Sequence, residues 1–157
     1  MKQWFDSPEF REKYHYSGPL GATCGERGMA FRLWAPTAQA VELRIYREGK
    51  DAPAFSVLPM AAKEQGLWAY ETSENLDGVY YDYAVRVDGK TYETADPYGT
   101  ACGVNGIRSM VLDLSRTDPE NWEKDTAPAK QPEQIIYELH IKDFSWDTAG
   151  GFDAKDR

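Results

Sequence analysis

The residues best suited to carry chemistry stand close together near the C-terminal end: Glu138, His140 and Asp143. Two carboxylates beside an imidazole suggest acid–base work or a metal centre. Neither assembles here. A metal site needs three or four ligating side chains, and the only other histidine, His15, is remote in sequence. In an extended stretch, Glu138 and Asp143 fall on opposite faces, because their separation is odd. Cys24 has no neighbouring base to activate it as a nucleophile. Gly103-Val104-Asn105-Gly106 is followed by no lysine and sits at no strand-to-helix junction, so it reads as a turn and not a phosphate cradle. The reading is therefore of no catalytic residue, no metal site and no cofactor.

The composition is rich in aromatic rings, which by abundance alone serve core packing and ring stacking alike. The 157 residues include 10 Tyr, 5 Trp and 6 Phe. Tyr and Trp offer an apolar face with a polar tip, which suits sheet surfaces and sugar rings equally. Trp34 and Trp68 lie mid-strand and read as core or inter-domain contacts.

The formal net charge of −8, from 26 acidic against 18 basic residues, repels polyanions, and no Lys/Arg cluster makes a local exception. Nucleic acid and anionic membrane surfaces are excluded as partners on this ground, whereas a neutral polysaccharide is not. Hydrophobic residues make up 41% of the chain, enough to bury a core. No apolar run approaches the roughly 20 residues of a membrane-spanning helix. Met1-Lys2-Gln3-Trp4-Phe5-Asp6 lacks the apolar centre of a secretory signal. With Cys24 and Cys102 as the only cysteines, a reduced state and a cytoplasmic location are expected.

These residues must be positioned by strands. Ser7-Pro8-Glu9 combines an N-cap, a proline at the first helical position and an acid in the first turn, which predicts a short helix over Pro8–Tyr14. From Met29 onward the period becomes two. Met29, Phe31 and Leu33 alternate with Ala30, Arg32 and Trp34, and Val41, Leu43 and Ile45 alternate with Glu42, Arg44 and Tyr46. Phe55–Met60 is a short run. Leu67–Thr72 sets Trp68 and Tyr70 on one face. The longest stripe is Val79, Tyr81, Tyr83, Val85 and Val87. Asp88-Gly89 supplies the two φ > 0 positions of a type I′ turn, which predicts Lys90–Thr94 as a hairpin partner. Ser109–Leu114 completes the set, with Met110, Leu112 and Leu114 in phase. About seven short strands with turn signals between them predict an all-β, immunoglobulin-like antiparallel sandwich.

Beyond Leu114 the sequence turns polar and carries Pro119, Pro128 and Pro132, the composition of a linker, with Asp118-Pro119-Glu120 opening one helical turn. Ile135–Ile141 then reads as a further strand with nothing after it to pair with. An unpaired strand at the end of a chain suggests a piece of something longer. The predicted organisation is an N-terminal extension (1–19), a β-sandwich (20–115), a linker (116–134) and the start of another domain (135–157).

Three stretches carry a family resemblance. Leu20-Gly21-Ala22-Thr23 and Phe31-Arg32-Leu33-Trp34-Ala35-Pro36-Thr37-Ala38 resemble the opening of the sandwich that precedes the barrel in type I pullulanases. Asp96-Pro97-Tyr98, Ala101–Gly106 and Ser109–Leu114 resemble its closing strands. Ile136–Ser145 is similar to the first strand of the catalytic (β/α)8 barrel in the same enzymes. Related branching enzymes carry a Gly-Asp-Phe-Asn-x-Trp segment after the second strand, where this chain has Tyr46-Arg47-Glu48-Gly49-Lys50.

The resemblance implies an accessory N-terminal domain of a pullulanase-type α-1,6-glucosidase. Such a domain packs against its own catalytic barrel and contacts α-glucan (glycogen, pullulan or amylopectin). The catalytic carboxylates of such enzymes lie at later barrel strands, so this chain by itself is expected to be inert. Glycogen-binding modules of the isoamylase N-terminal type use two Trp and a Lys near a Val-Asp-Gly turn. Aligned on Val87-Asp88-Gly89, the lysine position is Ala84 and the nearest aromatic after the turn is Tyr92, not a Trp, so the resemblance leaves Tyr80 and Tyr92 as the candidate sugar contacts. The alternative is a stand-alone α-glucan-binding or protein-interaction sandwich.

Overall fold

The computed structural model describes residues 2–25, 28–129, 135–146, 150, 151 and 153. It divides into two compact units, Met1–Asp118 and Pro119–Arg157.

The first unit is a sandwich of two antiparallel sheets. Its strands are β1 (Gly21–Gly25), β2 (Gly28–Trp34), β3 (Ala40–Tyr46), β4 (Ser56–Pro59), β5 (Ala61–Ala62), β6 (Leu67–Thr72), β7 (Tyr80–Val87), β8 (Lys90–Thr94), β9 (Ala101–Cys102) and β10 (Ser109–Met110). One sheet has the order β1-β2-β6-β5. The other runs β4-β3-β7-β10-β9, with β8 also on β7. The period-two stripes become the core: Phe31, Leu43, Tyr81 and Tyr83 are fully buried, with Val41 and Ile45 nearly so. Trp68 and Tyr70 pack half-buried against that core. Asp88 and Gly89 have φ of 50° and 73°, the positive pair that the tight β7–β8 turn requires.

Before the sandwich come α1 (Lys2–Phe5) and α2 (Pro8–Tyr14). The predicted cap of α2 forms: the Phe10 N–H donates to Ser7 Oγ at 3.1 Å, and Pro8 opens the helix. The aromatic side of these helices is tied together by Phe10, whose ring lies 4.8 Å from those of Trp4 and Tyr14.

Strand β7 organises the larger sheet. Strand β3 pairs with its whole length on one side. On the other side the neighbour changes: β8 pairs Tyr83 to Val87, and β10 pairs Tyr80 and Tyr81. Asp96 sits at that change of neighbour. Its Oδ2 accepts from Tyr81 Oη at 2.7 Å and Tyr83 Oη at 3.1 Å, its Oδ1 accepts from Tyr98 N–H at 2.8 Å, and its own N–H donates to Ser109 Oγ at 2.9 Å.

Two expectations are corrected. The strand predicted at Ser109–Leu114 is only Ser109–Met110, and its phase is the reverse. Ser109 and Val111 point inward at 2% and 1% exposure, while Leu114 is 54% exposed at the start of a 3-10 turn. The reversal arises because a polar residue, Ser109, is needed inside to bind the Asp96 backbone. Asp113 then caps the 3-10 turn that follows, accepting from Ser115 N–H at 3.1 Å.

In the second unit, Ile135–His140 form no strand. Ile141–Trp146 instead form a short helix, α3. A strand must find ladder partners outside itself, whereas a helical turn satisfies its own backbone. The helical turn expected to open at Asp118-Pro119-Glu120 forms later, at Trp122–Lys124, with Asn121 in the N-cap position and no side-chain cap. Residues 130–134 of the predicted linker, and 147–149, 152 and 154–157 of the segment after it, lie outside the described residues.

The phenols give the sandwich a pH limit. Burial, then the Asp96 charge, pushes the Tyr81 and Tyr83 hydroxyls far above the ordinary tyrosine range. Their contribution is fully present below the unfolded value of about 10 and is lost as pH rises beyond it. Urea denaturation at pH 8 and pH 11 is expected to show a marked alkaline loss of stability that shrinks in Tyr83→Phe. Limited proteolysis is expected to remove residues after Leu114 and leave the sandwich intact.

Candidate functional site

The outward face of the larger sheet carries the polar side chains of β3 and β7. Register sets Arg44 opposite Asp82 and Tyr46 opposite Tyr80, all on the side away from the core. Arg44 grips Asp82 in a two-point fork, Nε to Oδ1 at 2.7 Å and Nη2 to Oδ2 at 2.9 Å. Its Nη1 donates to Glu93 on β8. Tyr46 Oη donates to the same Asp82 carboxylate, at 3.1 and 3.0 Å from its two oxygens. The Arg108 guanidinium lies 3.4 Å above the Tyr46 ring and donates to the carbonyls of Glu48 and Ala52, each at 2.7 Å.

Two loops fold over one end of this face. A Cβ on Gly103 would lie 2.7 Å from the Gly49 Cα and 2.8 Å from its carbonyl oxygen, so glycine at 103 is what lets the loops meet there. Asp82 is thereby reduced to 6% exposure and Tyr46 to 4%. Desolvation, then the Asp82 charge, pushes the Tyr46 hydroxyl up to about 12. The Glu93 carboxyl is held below the usual range by its hydrogen bond from Arg44. Both carboxylates share one guanidinium, an arrangement that fixes a surface and does not move a proton.

The two candidate sugar contacts are not brought together. Tyr80 stands on the outward face beside Tyr46 and is half-buried against the Gly49 loop. Tyr92 pairs with Val85, which has the same inward phase as Tyr81 and Tyr83, so the two rings leave the sheet on opposite faces. Tyr92 is 56% exposed. Ala84, at the lysine position of the resemblance, is buried on the outward face at 5% exposure.

The other residues considered for chemistry are also resolved. His140 Nδ1 lies 3.0 Å from Asp143 Oδ2, an exposed pair spanning the start of α3. Cys24 and Cys102 are unpaired, and burial, with Asp113 and Asp77, pushes the Cys24 thiol up, away from nucleophilic reactivity. Trp34 is 40% exposed, and its Nε1–H points at the carbonyls of Tyr14 and Gln65, each at 3.0 Å. Trp68 Nε1–H donates to Ala35 O at 3.1 Å.

A feature the sequence reading did not single out is a groove of about 410 Å³ at the N-terminal helices. Phe5, Arg11, Tyr14, His15, Trp34 and Tyr98 are among its walls. The aromatic density around α1 and α2 was the available signal. Tyr98 joins them only through the fold.

Known proteins agree with this architecture. The family model of carbohydrate-binding module 48 (isoamylase N-terminal domain) matches residues 19–99, just over half of the chain. The chain belongs to this family. Pullulanase 1, chloroplastic, of Arabidopsis thaliana is 34% identical over 148 residues, covering 85% of this chain and 15% of the relative. The pullulanase of Klebsiella aerogenes is 37% identical over 143 residues, covering 81% of this chain and 13% of its own. The crystal structure of a Paenibacillus barengoltzii pullulanase, complexed with maltohexaose and alpha-cyclodextrin, superposes with a TM-score of 0.78 at 39% identity. It covers 90% of this chain and 22% of that one. The chain thus spans roughly a seventh of the length of these curated relatives.

The outward network sets a mutational ranking. Asp82→Ala leaves the Arg44 charge and the Tyr46 hydroxyl short of a buried acceptor and is expected to cost about 3–5 kcal/mol. Glu93→Gln, at a side chain 66% exposed, is expected to cost under about 1 kcal/mol at pH 7. That small difference should shrink as pH falls below the unfolded value of about 4.3 and vanish below the lowered folded value, where the carboxylate is protonated in both states. Urea denaturation of both variants at pH 7, and of Glu93→Gln down to pH 3, measures this.

Proposed function

We propose that this carbohydrate-binding module 48 chain is the accessory sandwich of a pullulanase-type α-1,6-glucosidase, packing against a catalytic barrel that begins near residue 135. The reading rests on the extent of the likeness. The Arabidopsis pullulanase aligns over 148 residues, whereas the family model spans only 19–99, so the similarity continues well outside the module. The exposure of Ile135 and Ile136, at 96% and 90%, supports the same assignment: two adjacent isoleucines this open suit a segment whose normal place is inside a further domain. In this organisation, 1–19 is an extension, 20–115 the sandwich and 116–134 a linker.

The catalytic carboxylates belong to later barrel strands, so the chain itself turns over no substrate. Its own contact is with α-glucan. Tyr92 is the ring open to a sugar face, and Tyr80, on the opposite face and half-buried beneath the Gly49 loop, is a separate contact. Unpaired Cys24 and Cys102 are consistent with a cytoplasmic setting.

Pullulan incubated with the chain is expected to release no reducing sugar, and any release would place catalytic groups within these residues. In affinity electrophoresis the chain is expected to be retarded by glycogen or pullulan in the gel, with Tyr92→Ala and Tyr80→Ala reducing the retardation. Migration unaffected by either polysaccharide would leave barrel packing as its only role.

A further inference from the structure

We propose that the groove between the N-terminal helices and the sandwich is a second carbohydrate site, taking a short stretch of α-1,4-linked glucan. The proposal rests on the α-glucan reading above but uses a different surface. The family match begins at residue 19, so Phe5, Arg11, Tyr14 and His15 stand outside the module, whereas Leu20, Trp34 and Tyr98 belong to it.

The chemistry of the walls selects the ligand. A glucose ring has apolar C–H faces and a rim of hydroxyls, so it needs an aromatic surface beside side chains that can donate or accept at its edge. Trp34, Tyr98 and Phe5 are 40%, 55% and 40% exposed around the groove, large rings that the fold leaves open to solvent. Arg11 and His15 supply hydrogen-bonding groups in the same groove.

The Trp34 ring is also set in place before any ligand arrives. Its Nε1–H is held by two carbonyls, one from the end of α2 and one from the turn before β6, so little rotamer freedom remains to be lost on binding. The helix that forms the far wall is itself fixed by the Ser7 cap and by Phe10, which is 8% exposed.

Size and charge narrow the occupant further. About 410 Å³ lies within the roughly 300–1,000 Å³ of clefts that take small ligands. A neutral ligand meets no penalty from a chain of net charge −8.

The test is isothermal titration of the full chain with maltohexaose, together with the indole N–H signals in a ¹⁵N spectrum, Trp34 being assigned through Trp34→Phe. Tyr98 is suited to substitution because its fold contact is made by its backbone N–H and its ring is exposed. Tyr98→Ala is expected to weaken maltohexaose binding by about 3- to 10-fold, the loss of one stacking ring. Tyr98→Phe should retain it, Tyr92→Ala should leave it unchanged at this site, and the Trp34 indole should shift on titration. Binding lost in Tyr92→Ala but unchanged in Tyr98→Ala, with a silent Trp34 indole, overturns the groove while leaving the glucan reading in place. A wild-type chain that binds no maltohexaose overturns both. Unchanged thermal unfolding of Tyr98→Ala separates lost binding from lost fold.

Discussion

Two phenol hydroxyls inside a β-sandwich must be hydrogen-bonded, because a polar tip taken from water without a partner costs several times what a satisfied one contributes. Tyr81 and Tyr83 are fully buried on one face of β7, and Asp96 receives both. That carboxylate in turn requires donors and a fixed backbone, which Tyr98 and Ser109 provide. The route of the chain from β8 to β10 is bound to this one side chain. It explains why a serine points into the core and why β10 is short.

The same strand is constrained from its other side. Asp82 is buried on the outward face, where only the Arg44 fork and the Tyr46 hydroxyl keep its charge from being a liability. Covering this network takes the Gly49 and Gly103 loops, whose backbones meet where a side chain at 103 would collide. Strand β7 is therefore held by aromatic packing within and by an ionic cluster without. Away from this network, Tyr92 on β8 and the aromatic rings around the groove at the N-terminal helices stay open to solvent.

A carbohydrate-binding module of this kind needs rigid rings on a rigid frame, since a stacking platform that must first be ordered loses much of what it gains. The frame here is a two-sheet core of Phe31, Leu43 and the β7 tyrosines. The N-terminal helix adds to it by a capped turn whose aromatic residues face one another and by the Trp34 indole bonded to the Tyr14 carbonyl.

The period-two stripes at Met29–Leu33, Val41–Ile45 and Val79–Val87, the Asp88-Gly89 turn and the Ser7 cap could all be read in the chain, because each depends on near neighbours and on side-chain alternation. Strands β1, β5 and β9 could not, since glycine- and alanine-rich segments become strands only when a neighbour offers its ladder. The inward phase of Ser109 and Val111 was hidden for a related reason: Asp96, distant in sequence, decides that a polar residue belongs inside. Ile135–Ile141 has strand composition but no partner, and α3 forms at its end instead. Tyr80 and Tyr92 were both identifiable as rings, but strand register alone sent them to opposite faces. Sequence determined which residues seek burial, and tertiary pairing decided which face each one reached, because a strand's two sides are distinguished only by what packs against them.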